Sequence, residues 1–258
     1  MSLLELPQPP NWRRGRRHLA LIGAACFAGM AYWIFSGVMA AIRGSYLTAY
    51  VVMSVAAAPI LMAVAVALAV NGRVRVRTTS DATGFTLWPD KLFQVLGYVA
   101  FALTAPGGVL GAILLWRGEF DLPMPRGMQL TYMAAAFAAL VVIAVRALLA
   151  GVRRGGVGYV KLTPAMIESA NALKTRAVEW DDVVSVSDSS GEKDFRRAAI
   201  LHLKDGTEEA ILGLDFYVPK GGSLYWMVRH YWKHPEDRME LVDNRAAERL
   251  RAGRFDLT

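Results

Sequence analysis

His230 and His234 stand four residues apart, a spacing at which two imidazoles on one helix face can share a metal ion. No glutamate completes an H-E-x-x-H pattern, and Pro235 follows His234 directly, so a helix carrying the pair ends there. The pattern favours His234 as a group that supports a helix C-terminus. Asp181 and Asp182 are neighbouring carboxylates that could hold a metal or move protons, but adjacency alone supplies no ligand geometry. They read better as a turn or helix cap beside Trp180, itself a core plug. His202 lies within a short apolar alternation with no acid or nucleophile near it in sequence. There is no phosphate-cradling P-loop, no glycine-rich dinucleotide turn and no G-x-S-x-G elbow. The single cysteine, Cys26, excludes a disulfide framework and a cysteine-based zinc site and reads as a small packing residue. No catalytic, cofactor or metal residue is assigned. An enzyme using His202 or the Asp181/Asp182 pair stays open as an alternative.

The dense charge constellation is basic: Arg13, Arg14, Arg16, Arg17, Arg73, Arg75, Arg77, Arg153 and Arg154. Guanidinium groups massed this way retain a chain's cytoplasmic segments, and they can also capture anionic headgroups or an acidic partner surface. The formal charge is +7. Residues 1–150 hold 12 basic and 5 acidic side chains, and residues 151–258 hold 17 of each. A nucleic-acid-binding domain would be locally positive, and the C-terminal region is neutral.

The elements that must position these groups are set by hydropathy. The chain has 258 residues, 54% of them hydrophobic and 20% charged, with a mean hydropathy of +0.30, which excludes a disordered polymer. Four apolar runs, near 19–42, 46–70, 92–116 and 129–150, reach the roughly 20 residues that cross about 30 Å of hydrocarbon. Tyr46, Tyr50, Tyr98, Trp116 and Tyr132 suit interfacial anchoring. Ten Lys and Arg flank one side of these runs and three (Arg43, Arg117, Arg126) the other, which predicts both termini and the middle loop in the cytoplasm of a bacterial plasma membrane. Ala24-Ala25-Cys26 resembles a lipoprotein cleavage site, but Gly23 replaces the large apolar residue expected there and the run continues. An uncleaved first span is expected.

Inside the runs the one charge is Arg146, near the end of the fourth, where it can snorkel. Pumps, proton-coupled carriers and intramembrane proteases need ionisable groups in the bilayer, so these classes are disfavoured. Gly107 and Gly111 form a GxxxG pair, expected either to pack the bundle or to dock another membrane subunit. Pro59 and Pro106 predict kinks. Between the second and third runs, residues 71–91 alternate around Ser80-Asp81-Ala82, which predicts a hairpin packed on the C-terminal domain. Phe120, Leu122 and Met124, interleaved with Pro123 and Pro125, form a small outer apolar patch that could touch a partner.

Beyond Gly151 the pattern becomes strand-like at 159–162, 166–169, 173–179, 183–187, 198–204 and 208–212, with a two-residue hairpin signal at Asp205-Gly206. A helix follows Gly221-Gly222-Ser223, with Leu224, Met227, Val228 and Tyr231 on its apolar face, and a second is expected over 236–251. Leu162-Thr163-Pro164, Val178-Glu179-Trp180-Asp181-Asp182-Val183 and Leu201-His202-Leu203-Lys204-Asp205-Gly206, in this setting, resemble the bacterial pleckstrin-homology-like domain over about 156–232. The resemblance implies a small antiparallel barrel with C-terminal helices, acting as an assembly module.

The expected architecture is therefore membrane α-helical with four transmembrane helices plus a cytoplasmic α+β domain. Residues 1–18 form a basic N-terminus, 19–150 the four-helix membrane domain with its hairpin at 71–91, and 151–258 the pleckstrin-homology-like domain and helical tail. The plan resembles small actinobacterial membrane proteins, some of which accompany lipid importers of the mammalian-cell-entry type. That resemblance implies a non-catalytic accessory, scaffolding or regulatory subunit. Its expected partners are integral membrane subunits and anionic lipid, without nucleic acid. A stand-alone anionic-lipid sensor is the second alternative.

Overall fold

In hydrocarbon every backbone N–H and C=O must bond within the chain, so uninterrupted apolar sequence forms helices. The computed structural model describes residues 6–13, 16–122, 127, 129–171, 174–190 and 197–257, with side chains 13, 16–26 and 129 left out. The long helices are α1 (Arg16–Ile42), α2 (Tyr46–Val70), α3 (Lys91–Arg117) and α4 (Ala134–Arg154), the last led in by a π-helical turn at Gln129–Met133. Three stretches, Tyr46–Val70, Lys91–Arg117 and Leu130–Arg154, are long and apolar enough to cross a membrane. In α1 the described apolar portion is Phe27–Ile42, shorter than a span, so three of the four expected spans are established among the described residues.

The chain divides into two compact units. One comprises Arg17–Ala65 and Gln94–Val157, and the other Met1–Arg16, Val66–Phe93 and Gly158–Thr258. The first, the helical unit, is packed through small residues. A Cβ on Gly107 would lie 1.9 Å from Ser54 Oγ of α2, and one on Gly111 would lie 2.7 Å from the Phe137 ring of α4. Both faces of the GxxxG pair are thus filled from within the chain. Ser54 and Thr104 return their hydroxyl protons to the carbonyls of Val51 (2.9 Å) and Ala100 (2.8 Å), so both buried hydroxyls are satisfied within their own helices. Phe120 and Leu122 do not form the outer patch expected of them. Both are buried against Val51, Val52, Leu114, Leu115 and Phe137, because tucking two large side chains into the bundle removes more apolar surface than leaving them at its rim. Arg43 holds the same loop by an ion pair to Asp121 (2.8 Å). Met124, Pro123 and Pro125 lie outside the described residues.

The second unit is α+β and antiparallel throughout. Strands β1 (Arg77–Asp81), β2 (Gly84–Trp88), β3 (Tyr159–Leu162), β4 (Met166–Ala170) and β5 (Thr175–Glu179) form one sheet in sequence order. Strands β6 (Val183–Ser187), β7 (Ala199–Leu203) and β8 (Glu208–Ile211) form another. The hairpin between α2 and α3 is therefore part of the larger sheet, with Phe85, Thr86 and Leu87 registered against Leu162, Lys161 and Val160. Gly84 allows this: its φ is +152° and a Cβ there would meet the Leu162 carbonyl oxygen at 2.6 Å. The first strand starts at Arg77 rather than Val74, since the Arg75 N–H is diverted to Asp90 Oδ2 (2.8 Å).

The expected barrel does not close: the described strands make two open sheets. Trp180–Asp182 form a 3-10 turn between β5 and β6, and β6 pairs only with β7. The β7–β8 loop has three residues rather than two, because Leu203 N–H bonds the Thr207 carbonyl (2.9 Å) and Gly206 takes φ +80°.

Helix α5 (Gly222–Lys233) supplies Leu224, Met227, Val228 and Tyr231, all fully buried among residues of both sheets. The single helix expected over 236–251 is broken into a 3-10 helix, Pro235–Val242, and α6 (Arg245–Ala252). Asp243 is extended, and its carboxylate accepts the Arg245 N–H (2.8 Å), which starts the new helix. Large aromatics fill this core with their polar tips bonded to carbonyl oxygens. Trp180 donates to Thr163 (2.7 Å), Trp226 to Pro7 (2.7 Å), Trp232 to Val183 (3.0 Å) and Trp12 to Ala198 (3.2 Å).

Candidate functional site

Arg73 and Arg75 lie in the extended link from α2 to β1, both exposed, and neither guanidinium forms an ion pair among the described residues, although the Arg75 backbone N–H bonds Asp90. Arg77 opens β1 and donates to the Pro89 carbonyl (3.3 Å). These three form one basic segment of the α+β unit. Arg153 and Arg154 occupy the last turn of α4 in the helical unit, where cations meet the negative end of the helix dipole. Arg14 lies outside the described residues, as do the side chains of Arg13, Arg16 and Arg17; the backbones of Arg16 and Arg17 begin α1 rather than precede it.

The adjacent carboxylates are on the surface. The Asp181 side chain is 88% exposed, and its partner is the Arg238 guanidinium at 3.7 Å. Arg238 in turn lies over the Trp180 ring, 5.1 Å from its centroid. This arrangement locks a turn, and the described residues contain no group of three or more His, Cys, Asp or Glu side chains placed to hold a metal.

The histidine pair is brought together but not as ligands. The two rings are 4.7 Å apart, and each faces its own carboxylate: His230 Nε2 to Asp237 (3.0 Å) and His234 Nδ1 to Glu236 (3.1 Å). Asp237 also accepts from Arg249 (3.1 Å), whose fork grips Glu240 with two bonds of 2.6 Å. The Arg249 bonds hold the Glu240 carboxyl below its usual range, and burial draws His230 below that of histidine. This network binds the 3-10 helix and α6 to α5.

One arrangement was not visible in sequence order. His202 Nε2 is 2.8 Å from Ser187 Oγ, and His202 Nδ1 is 3.3 Å from Glu208 Oε1. Three adjacent strands supply the three side chains. His202 faces Glu208 directly in the β7–β8 register, while Ser187 reaches it diagonally from β6, whose pairing shifts between Val183 and Ser185. The two-residue hairpin read at Asp205-Gly206 would set His202 opposite Glu209; the three-residue loop that forms instead sets it opposite Glu208. The serine is set by the register shift, which no residue pattern announced. Compared with known proteins, the chain matches no family model, no curated protein and no solved structure.

Proposed function

We propose that this chain is an accessory subunit, scaffolding or regulatory, of a bacterial plasma-membrane complex, with a lipid transporter as the class of complex it serves. In this reading α1 is a fourth span, both termini are cytoplasmic, and the α+β unit is the assembly module. A pleckstrin-homology-like ancestry fits the strand order and the plugging helix α5, with the hairpin β1–β2 as an addition to the sheet.

The observation that carries the reading is the interior of the helical unit. Its buried polar side chains among the described residues are Ser36, Thr48, Ser54, Gln94 and Thr104, with no ionisable group among them. Arg146, the one charge within the spans, is exposed. A bundle of this kind anchors and packs; among the described residues it holds no buried ionisable relay. The α+β unit draws its larger sheet from both sides of α3 and α4 in sequence, which suits a module built to stay with its anchor.

A second reading, a stand-alone sensor of anionic headgroups, draws on Arg73 and Arg75, which are exposed and whose guanidinium groups form no ion pair among the described residues. Purification of the tagged full chain in mild detergent at native expression, followed by mass spectrometry, separates the two. Stoichiometric integral membrane subunits are the expected result. A chain that emerges alone, or with lipid only, overturns the accessory reading and leaves the sensor.

A further inference from the structure

We propose that Ser187, His202 and Glu208 form a nucleophilic site for acyl transfer from a carboxylic ester, on one face of the β6–β7–β8 sheet. The roles follow from which atom faces which. A serine hydroxyl is a weak nucleophile until a base accepts its proton, and the base must be held in the correct tautomer. Glu208 Oε1, 3.3 Å from Nδ1, keeps a proton on that nitrogen and leaves the Nε2 lone pair toward Ser187 Oγ at 2.8 Å. Glu208 is itself steadied, since its other oxygen accepts the Ser190 hydroxyl at 2.5 Å. Ser190 is thus a positioning residue. The Ser187 hydroxyl proton has a second acceptor, the Ser189 carbonyl at 2.7 Å, and only its orientation toward His202 is productive.

The setting is neither fully exposed nor sealed. His202 and Glu208 each leave 32% of the side chain open to solvent, enough to admit a substrate.

The step balances without a co-reactant. Ser187 Oγ bonds to the ester carbonyl carbon as its proton passes to His202 Nε2. The C–O bond to the alcohol breaks and that oxygen takes the proton from Nε2. Water, deprotonated by the same nitrogen, then attacks the acyl-serine; the acid leaves and Ser187 regains its proton. A positioned general base contributes about 10²–10⁴-fold, which suits an ester, whose alkoxide leaves more readily than an amide's nitrogen.

This inference goes beyond the accessory reading and stands apart from it: co-purifying subunits, present or absent, do not bear on it. The test is reaction of the detergent-purified full chain with a fluorophosphonate, a trap for activated serines, with the modified residue located by peptide mass spectrometry. Labelling at Ser187 is expected, absent in heat-denatured protein and in Ser187→Ala. It should slow at least about 100-fold in His202→Gln and at least about tenfold in Glu208→Gln, where the amide no longer fixes the tautomer. If a variant fails to fold, the wild-type labelling rate decides, because a serine activated by a general base must be labelled faster as pH rises. No label at Ser187, label mainly at Ser185, Ser189 or Ser190, or a rate flat with pH and indifferent to His202→Gln overturns the proposal.

Discussion

The two units solve packing with opposite materials. In the helical unit glycines allow close approach between helices: Gly107 to Ser54, Gly108 to Val141, Gly111 to Phe137. Many of its large side chains, Phe27, Phe35, Ile42 and Trp116 among them, are exposed, while Phe120 and Phe137 are buried. In the α+β unit the largest side chains, Trp180, Tyr231 and Phe85, are the most deeply buried. The difference is one of solvent. Water drives bulky apolar groups inward, whereas hydrocarbon has no preference between a leucine outside and a leucine inside, so close backbone approach decides the packing. The same residue type should therefore carry very different weight in the two places.

Tryptophan gives the widest contrast. Trp180 is 1% exposed with its indole N–H bonded, while Trp116 is 87% exposed. Trp180→Ala should cost about 3–5 kcal/mol, and Trp116→Ala should stay within about 0.5 kcal/mol, as read by urea titration of the detergent-solubilised chain. Equal losses at the two positions would break the comparison. Glycine reverses the roles. Gly107→Leu should lose about 1–3 kcal/mol or more from overpacking in the helical unit. Gly29→Leu, where a Cβ meets nothing within 4 Å, should be tolerated in a thermal-shift measurement.

The sequence disclosed the helical unit better than the α+β unit for the same reason. A span is a local property, some 20 residues of one character, and Tyr46–Val70 was legible to the residue. Strands 159–162 and 183–187 were equally plain, as was the stripe Leu224, Met227, Val228, Tyr231. Barrel closure was not, because it depends on whether β5 and β6 pair, which is decided by the 3-10 turn at Trp180–Asp182 rather than by either strand's pattern. The break at Asp243 was missed because Met239, Val242, Ala246 and Leu250 keep a helical period across it; one carboxylate accepting the Arg245 N–H outweighs that period. The site was not legible: the expected two-residue turn registers His202 with Glu209 where the observed loop registers it with Glu208, and Ser187 requires the irregular pairing near Ser185.

Charge sharpens the comparison further, since among the described residues the ion pairs withdrawn from solvent lie in the α+β unit. Arg249 grips Glu240 and Asp237 with about a fifth of its side chain exposed. Arg249→Met strands both carboxylates and should cost about 1.5–3 kcal/mol, with no change in the melting of the helical unit. Glu240 has a folded pKa below its unfolded one, so its contribution is complete above the ordinary carboxylate range. It is lost as pH falls through the depressed folded value. An Arg249→Met chain whose stability kept the wild-type acid dependence would show that the pair is not its source.

The smallest effect, and the most selective, belongs to His230. Its ring is buried, Nε2 faces Asp237 at 3.0 Å, and Nδ1 has no hydrogen-bond partner among the described residues. A second proton would have to sit on that orphaned nitrogen. Burial is the largest cause of its lowered pKa, followed by Arg249, with His234 also opposing the charge and Asp237 favouring it. The unfolded chain takes up the proton first, near the ordinary histidine value of about 6.5. The folded form is therefore unpenalised above that pH and loses stability as pH falls from there toward the lowered folded pKa, at up to about 1.4 kcal/mol per pH unit. Comparing wild type with His230→Gln between pH 5 and 8 isolates the contribution of this residue. The wild type should lose more stability on acidification than the variant. In an Arg249→Met background the gap should narrow, because one of the cations that opposes protonation is gone. An unchanged gap there would mean that burial alone holds His230 neutral, and that α6 contributes bonds to this corner of the unit but no field.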